Sequence, residues 1–275
     1  MTDATPLPGV QALLFDVFGT VVDWRSTVVA ELIKRGREKR DAPASSSSSN
    51  SLPPSLQARL AELTDEDWAT FAQQWRTSYG AFTKGFVPGE TAWKDIDTHH
   101  YDSLLELLER WGLAGLFRDD EETRPLSLVW HRLQPWADTA KGLALLGTRY
   151  ITSTLSNGNQ ELLRDLNEHG PGLGFHWLIS AADFGAYKPN PKTYLGAVEA
   201  LGRKPAECAM VAAHLSDLKA ARSCGLRTVY VERHREEDWA SQPELIEEAR
   251  SWVDVWVSAD QDGFVEAARR LGISG

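Results

Sequence analysis

Leu13-Leu14-Phe15-Asp16-Val17-Phe18-Gly19-Thr20-Val21-Val22-Asp23-Trp24 is the stretch on which the reading of this chain turns. An apolar run delivers one carboxylate, Asp16, and breaks at Gly19 before a helical pattern begins. Such a run reads as a buried parallel strand entering a strand-to-helix turn. In open α/β sheets the reactive groups stand just beyond the carboxyl ends of the strands, and Asp16 occupies that place. An aspartate here can equally cap the following helix, and this stretch alone leaves both readings open.

Working outward, residues 25–40 place Val28, Val29, Leu32 and Ile33 on one face of a helix. The basic patch Lys34 to Arg40 that closes it reads as a solvated face. Residues 42–54, centred on Ser45 to Ser51, cannot bury a core and are expected to form a mobile loop. From Ser55 to Leu133 the patterns are helical throughout. Thr64-Asp65-Glu66-Asp67 opens one helix in capping style, and Trp68, Phe71, Ala72, Trp75 and Tyr79 follow at helical spacing. Asp102 to Trp111 forms another, striped by Leu104, Leu105, Leu107 and Leu108. His99 and His100 are adjacent, so on a helix they point in different directions. Without a carboxylate–histidine spacing beside them they read as structural or surface residues, not metal ligands.

After Pro135 the pattern changes. Residues 150–155, 177–179, 208–212, 228–231 and 254–257 are short apolar or β-branched runs, separated by helical patterns at 191–201 and 217–224, with a terminal helix at 264–271. Strands alternating with helices of this length predict a parallel sheet covered on both faces. The first strand precedes the helical block and the others follow it. The expectation is therefore an α/β, Rossmann-like core formed by residues 1–24 and 134–275, with an inserted helical cap domain over 25–133.

Composition narrows the function. A chain of 275 residues with 42% hydrophobic and 25% charged residues is ordinary for a globular protein. Its net charge of −10, with both signs interspersed, argues against a nucleic-acid partner. The N-terminus has no basic region before its first apolar run, and that run is too short to span a membrane. Two cysteines, Cys208 and Cys224, support neither a disulfide scaffold nor a zinc site. A cytoplasmic protein with a small-molecule substrate is expected; a homodimer is left open.

Asp16, Ser156-Asn157, Lys188 and Asp217 each follow a strand-like run, and their order and spacing are more specific than any one of them. Asp16-Val17-Phe18-Gly19-Thr20, Leu155-Ser156-Asn157-Gly158, Tyr187-Lys188-Pro189 and Ala213-His214-Leu215-Ser216-Asp217 resemble the four signature motifs of the haloacid dehalogenase superfamily. Within it the chain most resembles the type II L-2-haloacid dehalogenases. The likeness covers the α/β part and reaches the helical block at Trp75-Arg76, a pair that in that subfamily supplies an arginine bordering the substrate pocket.

The resemblance implies a hydrolase acting on carbon–halide bonds of small 2-haloacids, of the haloacetate or 2-halopropionate type. Asp16 would attack the halogen-bearing carbon and form an ester that water then hydrolyses. Lys188 would keep Asp16 ionised. Arg76 and Asn157 would stabilise the departing halide beside the apolar wall of Phe18. Ser156 would bind the substrate carboxylate, and Thr20 and Tyr194 would hold the neighbouring groups in place. Superfamily phosphatases carry an Asp where Phe18 stands, and Phe18 has no proton for a leaving alcohol. Their magnesium relies on acidic residues where this chain has Ala212-Ala213-His214, so Asp16 and Asp217 are a thin oxygen shell and no cofactor is expected. His214 replaces an asparagine of the well-known members, and two roles stay open for it: base for the hydrolytic water, or a packed residue orienting Asp217. A related hydrolase with another leaving group, such as a phosphate or phosphonate, is the alternative; a retired scaffold that binds a metabolite is a third.

Overall fold

A computed structural model describes residues 6–42, 52–170 and 172–273. Its centre is a five-stranded parallel sheet. The strands are β1 (Ala12–Phe15), β4 (Ile151–Thr154), β5 (Cys208–Ala212), β6 (Arg227–Val231) and β7 (Val255–Val257), in the order β4-β1-β5-β6-β7. A two-stranded antiparallel pair, β2 (Val22–Asp23) and β3 (Gln134–Pro135), closes the first turn against the return of the chain. β1 and β5 are buried along their whole length, which is why they read as continuous apolar runs without alternation.

Register places the site. Phe15 is level with Thr154 on one side and Val211 on the other. Asp16 is therefore the first residue past the end of β1, an interior strand, its N–H still donated to the Val211 carbonyl at 3.0 Å.

Helices α6 (Thr139–Gly147), α7 (Gln160–Glu168), α8 (Pro191–Ala200), α9 (Leu215–Ser223), α10 (Pro243–Arg250) and α11 (Gly263–Arg270) complete this part. One sheet face, with Leu14, Met210 and Tyr230, shares a core with Tyr194 and Val198 of α8, Leu218 of α9 and Ala249 of α10. On the other face the Phe15 ring meets Phe264 of α11 edge-on at 5.2 Å. α6 and α11 touch at Gly142, where any Cβ would collide with the Phe264 backbone.

The chain divides into two compact units. The α/β unit comprises residues 1–23, 86–93 and 134–275, and the helical unit residues 24–85 and 94–133. The helical unit contains α1 (Trp24–Arg40), α2 (Pro54–Glu62), α3 (Asp65–Gly85), α4 (Ile96–Arg110) and α5 (Asp119–Ser127). Its interior is aromatic: Trp24 stacks on Trp130, Trp75 meets Trp130 edge-on, and His100 stacks on Trp130 at 4.5 Å. His99 stacks on Phe82 at 4.4 Å, so both histidines are packed side chains.

Two features depart from the sequence reading. Residues 86–93, which contain Pro88 and Gly89, are not helical; they group with the α/β unit, and Trp93 stacks on Tyr187 at 4.9 Å. Residues 177–179 make only isolated bridges beside β4. The Thr154 hydroxyl there donates to the Ile179 carbonyl and accepts the Ile179 N–H, beside backbone bonds such as Thr154 N–H to the Trp177 carbonyl. The serine-rich loop expected over 42–54 lies mostly outside the described residues. No helix among the described residues is long and apolar enough to cross a membrane.

Candidate active site

The first turn brings Thr20 back under Asp16. Gly19 makes this possible with a φ of +86°, a conformation that L side chains rarely adopt. The Thr20 hydroxyl donates to Asp16 Oδ2 at 2.7 Å and accepts the Ala213 N–H at 2.9 Å, tying the β1 turn to the end of β5. From the other side Arg233 donates to the Thr20 carbonyl at 3.0 Å while its guanidinium grips both oxygens of Asp138.

Lys188 stands between two carboxylates. Its Nζ is 2.8 Å from Asp16 Oδ1 and 2.6 Å from Asp217 Oδ2. The Lys188 N–H is donated to Asn157 Oδ1 at 2.7 Å, which anchors this loop, with its cis Lys188–Pro189 bond, to the end of β4. Tyr194 of α8 donates its hydroxyl to Asp217 Oδ1 at 2.6 Å. His214, the N-cap of α9, places Nδ1 3.2 Å from Asp16 Oδ2 and Nε2 3.6 Å from Glu236 Oε2.

Asp16, Lys188 and Tyr194 are buried and His214 and Asp217 largely so, and the charges decide their states. Burial alone would raise the Asp16 carboxyl, but Lys188 and His214 outweigh it and hold it well below the usual carboxylate range. Burial would likewise strip Lys188 of its proton, and the two flanking carboxylates push it the other way, above its ordinary value. Asp217 is raised, by burial and by the Asp16 charge against the pull of Lys188. His214, against the effect of its burial, is pushed up to about 10 by its bonds to Asp16 and Glu236. It therefore enters neutral solution as an imidazolium, a donor to Asp16. Its Nδ1 meets Asp16, not Asp217.

The remaining predicted residues fall as follows. Phe18 is buried with its ring edge against Gly158. The Ser156 hydroxyl accepts the Gly158 N–H at 3.2 Å and shapes that turn. Arg76 belongs to the helical unit, where its guanidinium lies over the Tyr79 ring at 4.5 Å and the Trp24 ring at 5.7 Å.

Glu236, Arg233 and Asp138 were not legible as site residues. Arg233-His234-Arg235-Glu236-Glu237-Asp238 looks like a solvated charge run. The signal that could have found Glu236 is its place just past the end of β6, on the same sheet edge as Asp16.

Magnesium, implied by the phosphatase branch of the superfamily, does not fit these donors. Both oxygens of Asp16 and both of Asp217 already accept hydrogen bonds from Lys188, Thr20, His214 and Tyr194. Ala212 and Ala213 add no side-chain oxygen. The ammonium of Lys188 fills the place between the carboxylates that a cation would need.

Comparison with known proteins points to a family. A curated (S)-2-haloacid dehalogenase 1 of Pseudomonas sp. (strain CBS-3) is 33% identical over 134 residues, 48% of this chain and 58% of that protein. The match thus spans little more than half of that relative's length. A phosphoserine phosphatase of Thermus thermophilus is 35% identical over 186 residues, 57% of this chain and 71% of that protein. The crystal structure of the L-2-haloacid dehalogenase PA0810 superposes with a TM-score of 0.74 at 32% identity, covering 95% of this chain and 99% of that one. Residues 10–225 match the family profile of the haloacid dehalogenase-like hydrolases, and the chain belongs to that family.

Proposed function

We propose that the protein hydrolyses the carbon–halogen bond of small 2-haloacids through an ester on Asp16, without a metal. The observation that carries this reading is the hold on Asp16: Lys188 on one oxygen, Thr20 and His214 on the other. It keeps a buried carboxylate ionised, while Phe18 has no proton to give a leaving alcohol. The likeness to (S)-2-haloacid and L-2-haloacid dehalogenases points the same way.

In the first step an Asp16 oxygen bonds to the substrate's α-carbon, and halide departs with the electron pair of the breaking bond. In the second, water attacks the Asp16 carboxyl carbon and passes a proton to Asp217. The bond between that carbon and the bridging oxygen breaks, and the alkoxide takes the proton from Asp217. The sum is one hydroxy acid, one halide and one released proton per turnover. Asp217 suits the base role because burial raises its proton affinity. Asn157 is proposed to receive the halide and Ser156 to bind the substrate carboxylate. Tyr194 and Thr20 hold Asp217 and Asp16 in line.

A single turnover in heavy-oxygen water is expected to leave the label in Asp16 and not in the product, because the bridging oxygen departs with the hydroxy acid. Label found only in product rules out the ester. Asp16→Asn is expected to fold and to lose turnover by at least ~10⁴-fold. The similarity to a phosphoserine phosphatase supports phosphate release as the competing reading. Halide release that persists in EDTA favours the dehalogenase; phosphate release that EDTA abolishes and Mg²⁺ restores favours the phosphatase.

A further inference from the structure

Glu236 has no place in the steps above, yet the fold directs it at them. It is 8% exposed and follows Arg235, whose φ of +63° is unusual for a residue with a side chain. Its carboxylate rests on Gly19, where a Cβ would run into Glu236 Oε2. From there it faces His214 Nε2 at 3.6 Å, and the opposite ring nitrogen faces Asp16 Oδ2 at 3.2 Å. An imidazole with a carboxylate at each nitrogen is held as a two-proton donor.

The two oxygens of Asp16 are then unequal. Among the described residues, Oδ2 receives Thr20 and His214, whereas Oδ1 receives Lys188 alone. Two donors use the in-plane lone pairs of Oδ2, and one lone pair of Oδ1 stays available. Building on the dehalogenase reading, we infer that Oδ1 is the attacking atom, and that Glu236 positions His214 so that, with Thr20, it forms the oxyanion site for hydrolysis of the ester. Oδ2 becomes the ester carbonyl oxygen. When water adds to the carboxyl carbon, the carbonyl electron pair moves onto Oδ2, between the His214 Nδ1–H and the Thr20 hydroxyl. The pair returns as the bond to Oδ1 breaks.

Glu236 matters most at that moment. Ester formation removes the Asp16 charge, and with it one of the anions that keep His214 protonated. The charges that still face the ring are Glu236, with Glu237 and Asp238 from the same loop, and the Lys188 ammonium from across Asp16. Glu236 is the one in contact distance of the ring. It is a positioning residue, acting on the reacting atoms through His214.

The test is rapid-mixing kinetics of wild type, Glu236→Gln and Glu236→Asp with 2-chloropropionate or chloroacetate, following halide release and, by intact mass, the Asp16 ester. Glu236→Gln should keep its halide burst within about twofold of wild type, because Asp16 still charges His214 before the attack. Its ester hydrolysis should match wild type near pH 6 and fall by roughly ten- to a hundredfold by about pH 9 as the ring loses its proton. Glu236→Asp should restore much of the loss. Equal loss of both steps at every pH, or an unaltered pH profile, overturns the inference while leaving the dehalogenase reading intact. An acid-side loss of ester hydrolysis whose midpoint moves to lower pH in Glu236→Gln also overturns it and makes His214 the base, because an acid limb set by Asp217 stays in place. Should Glu236→Gln not fold, ring-¹⁵N NMR of the wild type decides: His214 protonated on both nitrogens at pH 8 supports the inference, and a neutral ring overturns it. A wild type that releases no halide from any haloacid removes the dehalogenase reading, and this inference with it.

Discussion

At the scale of the residue, one buried cation network accounts for the charge of Asp16, and His214 is the member whose state can be read from stability. Its proton is held more tightly in the folded chain, with a value of about 10, than at the ordinary histidine value of about 6.5. A group shifted upward contributes stability fully below the unfolded value and loses it as pH rises through the folded one. The urea midpoint of the wild type is therefore expected to fall between about pH 7 and pH 10. In His214→Gln that decline should flatten, although the variant starts less stable because Asp16 and Glu236 lose their shared partner. Parallel slopes for the two proteins would mean that His214 is neutral when folded.

At the scale of the element, the site depends on a turn that β1 cannot hold by itself. Five residues past the strand end, the Thr20 carbonyl is fixed by Arg233, which follows β6, and Arg233 is fixed by Asp138, just before α6. Asp138 also accepts the Phe264 N–H at the start of α11 at 2.7 Å. One carboxylate thus joins two helices and the strand turn through a bidentate pair, with Arg233 buried and the Asp138 side chain largely so. Asp138→Asn removes its charge and leaves the Arg233 guanidinium without its counter-ion. The expected cost is about 3–5 kcal/mol of unfolding free energy, read from urea denaturation. A change under 1 kcal/mol would show that solvent reaches the pair. Activity in the surviving folded fraction should fall as well, since the Thr20 hydroxyl holds Asp16 only while its backbone is held.

At the scale of the whole molecule, the chain passes between its two units four times, because residues 86–93 return to the α/β unit in the middle of the insertion. Phe86, Trp93 and Tyr187 form a cluster of ring contacts at 4.9–5.3 Å directly before Lys188. Trp93→Ala is expected to cost about 1–2 kcal/mol, less than a core tryptophan, because this ring is 44% exposed. It should also raise the KM of the haloacid by loosening the loop that carries Lys188. A variant with unchanged stability and kinetics would reduce the segment to a passive crossing.

The sequence by itself determined the parallel sheet and the residues at its carboxyl edge. Burial on both faces writes β1 and β5 as unbroken apolar runs, and the break at Gly19 is a local signal for the turn after β1. Asp16 was legible for that reason, and Asn157, Lys188 and Asp217 through the resemblance of their motifs, in order and spacing, to those of the family. What the tertiary structure decided is the state of those groups. Whether His214 is a base or a donor depends on which carboxylates face its two nitrogens. One of them, Glu236, sits in a charged run 22 residues further on that has the composition of solvated surface. The return of residues 86–93 was hidden too, since Pro88-Gly89 announces a break but not the ring on which Trp93 lands. Periodicity reports which face of an element is buried. It carries no record of distances between elements, and pKa values and ion pairs depend on those distances.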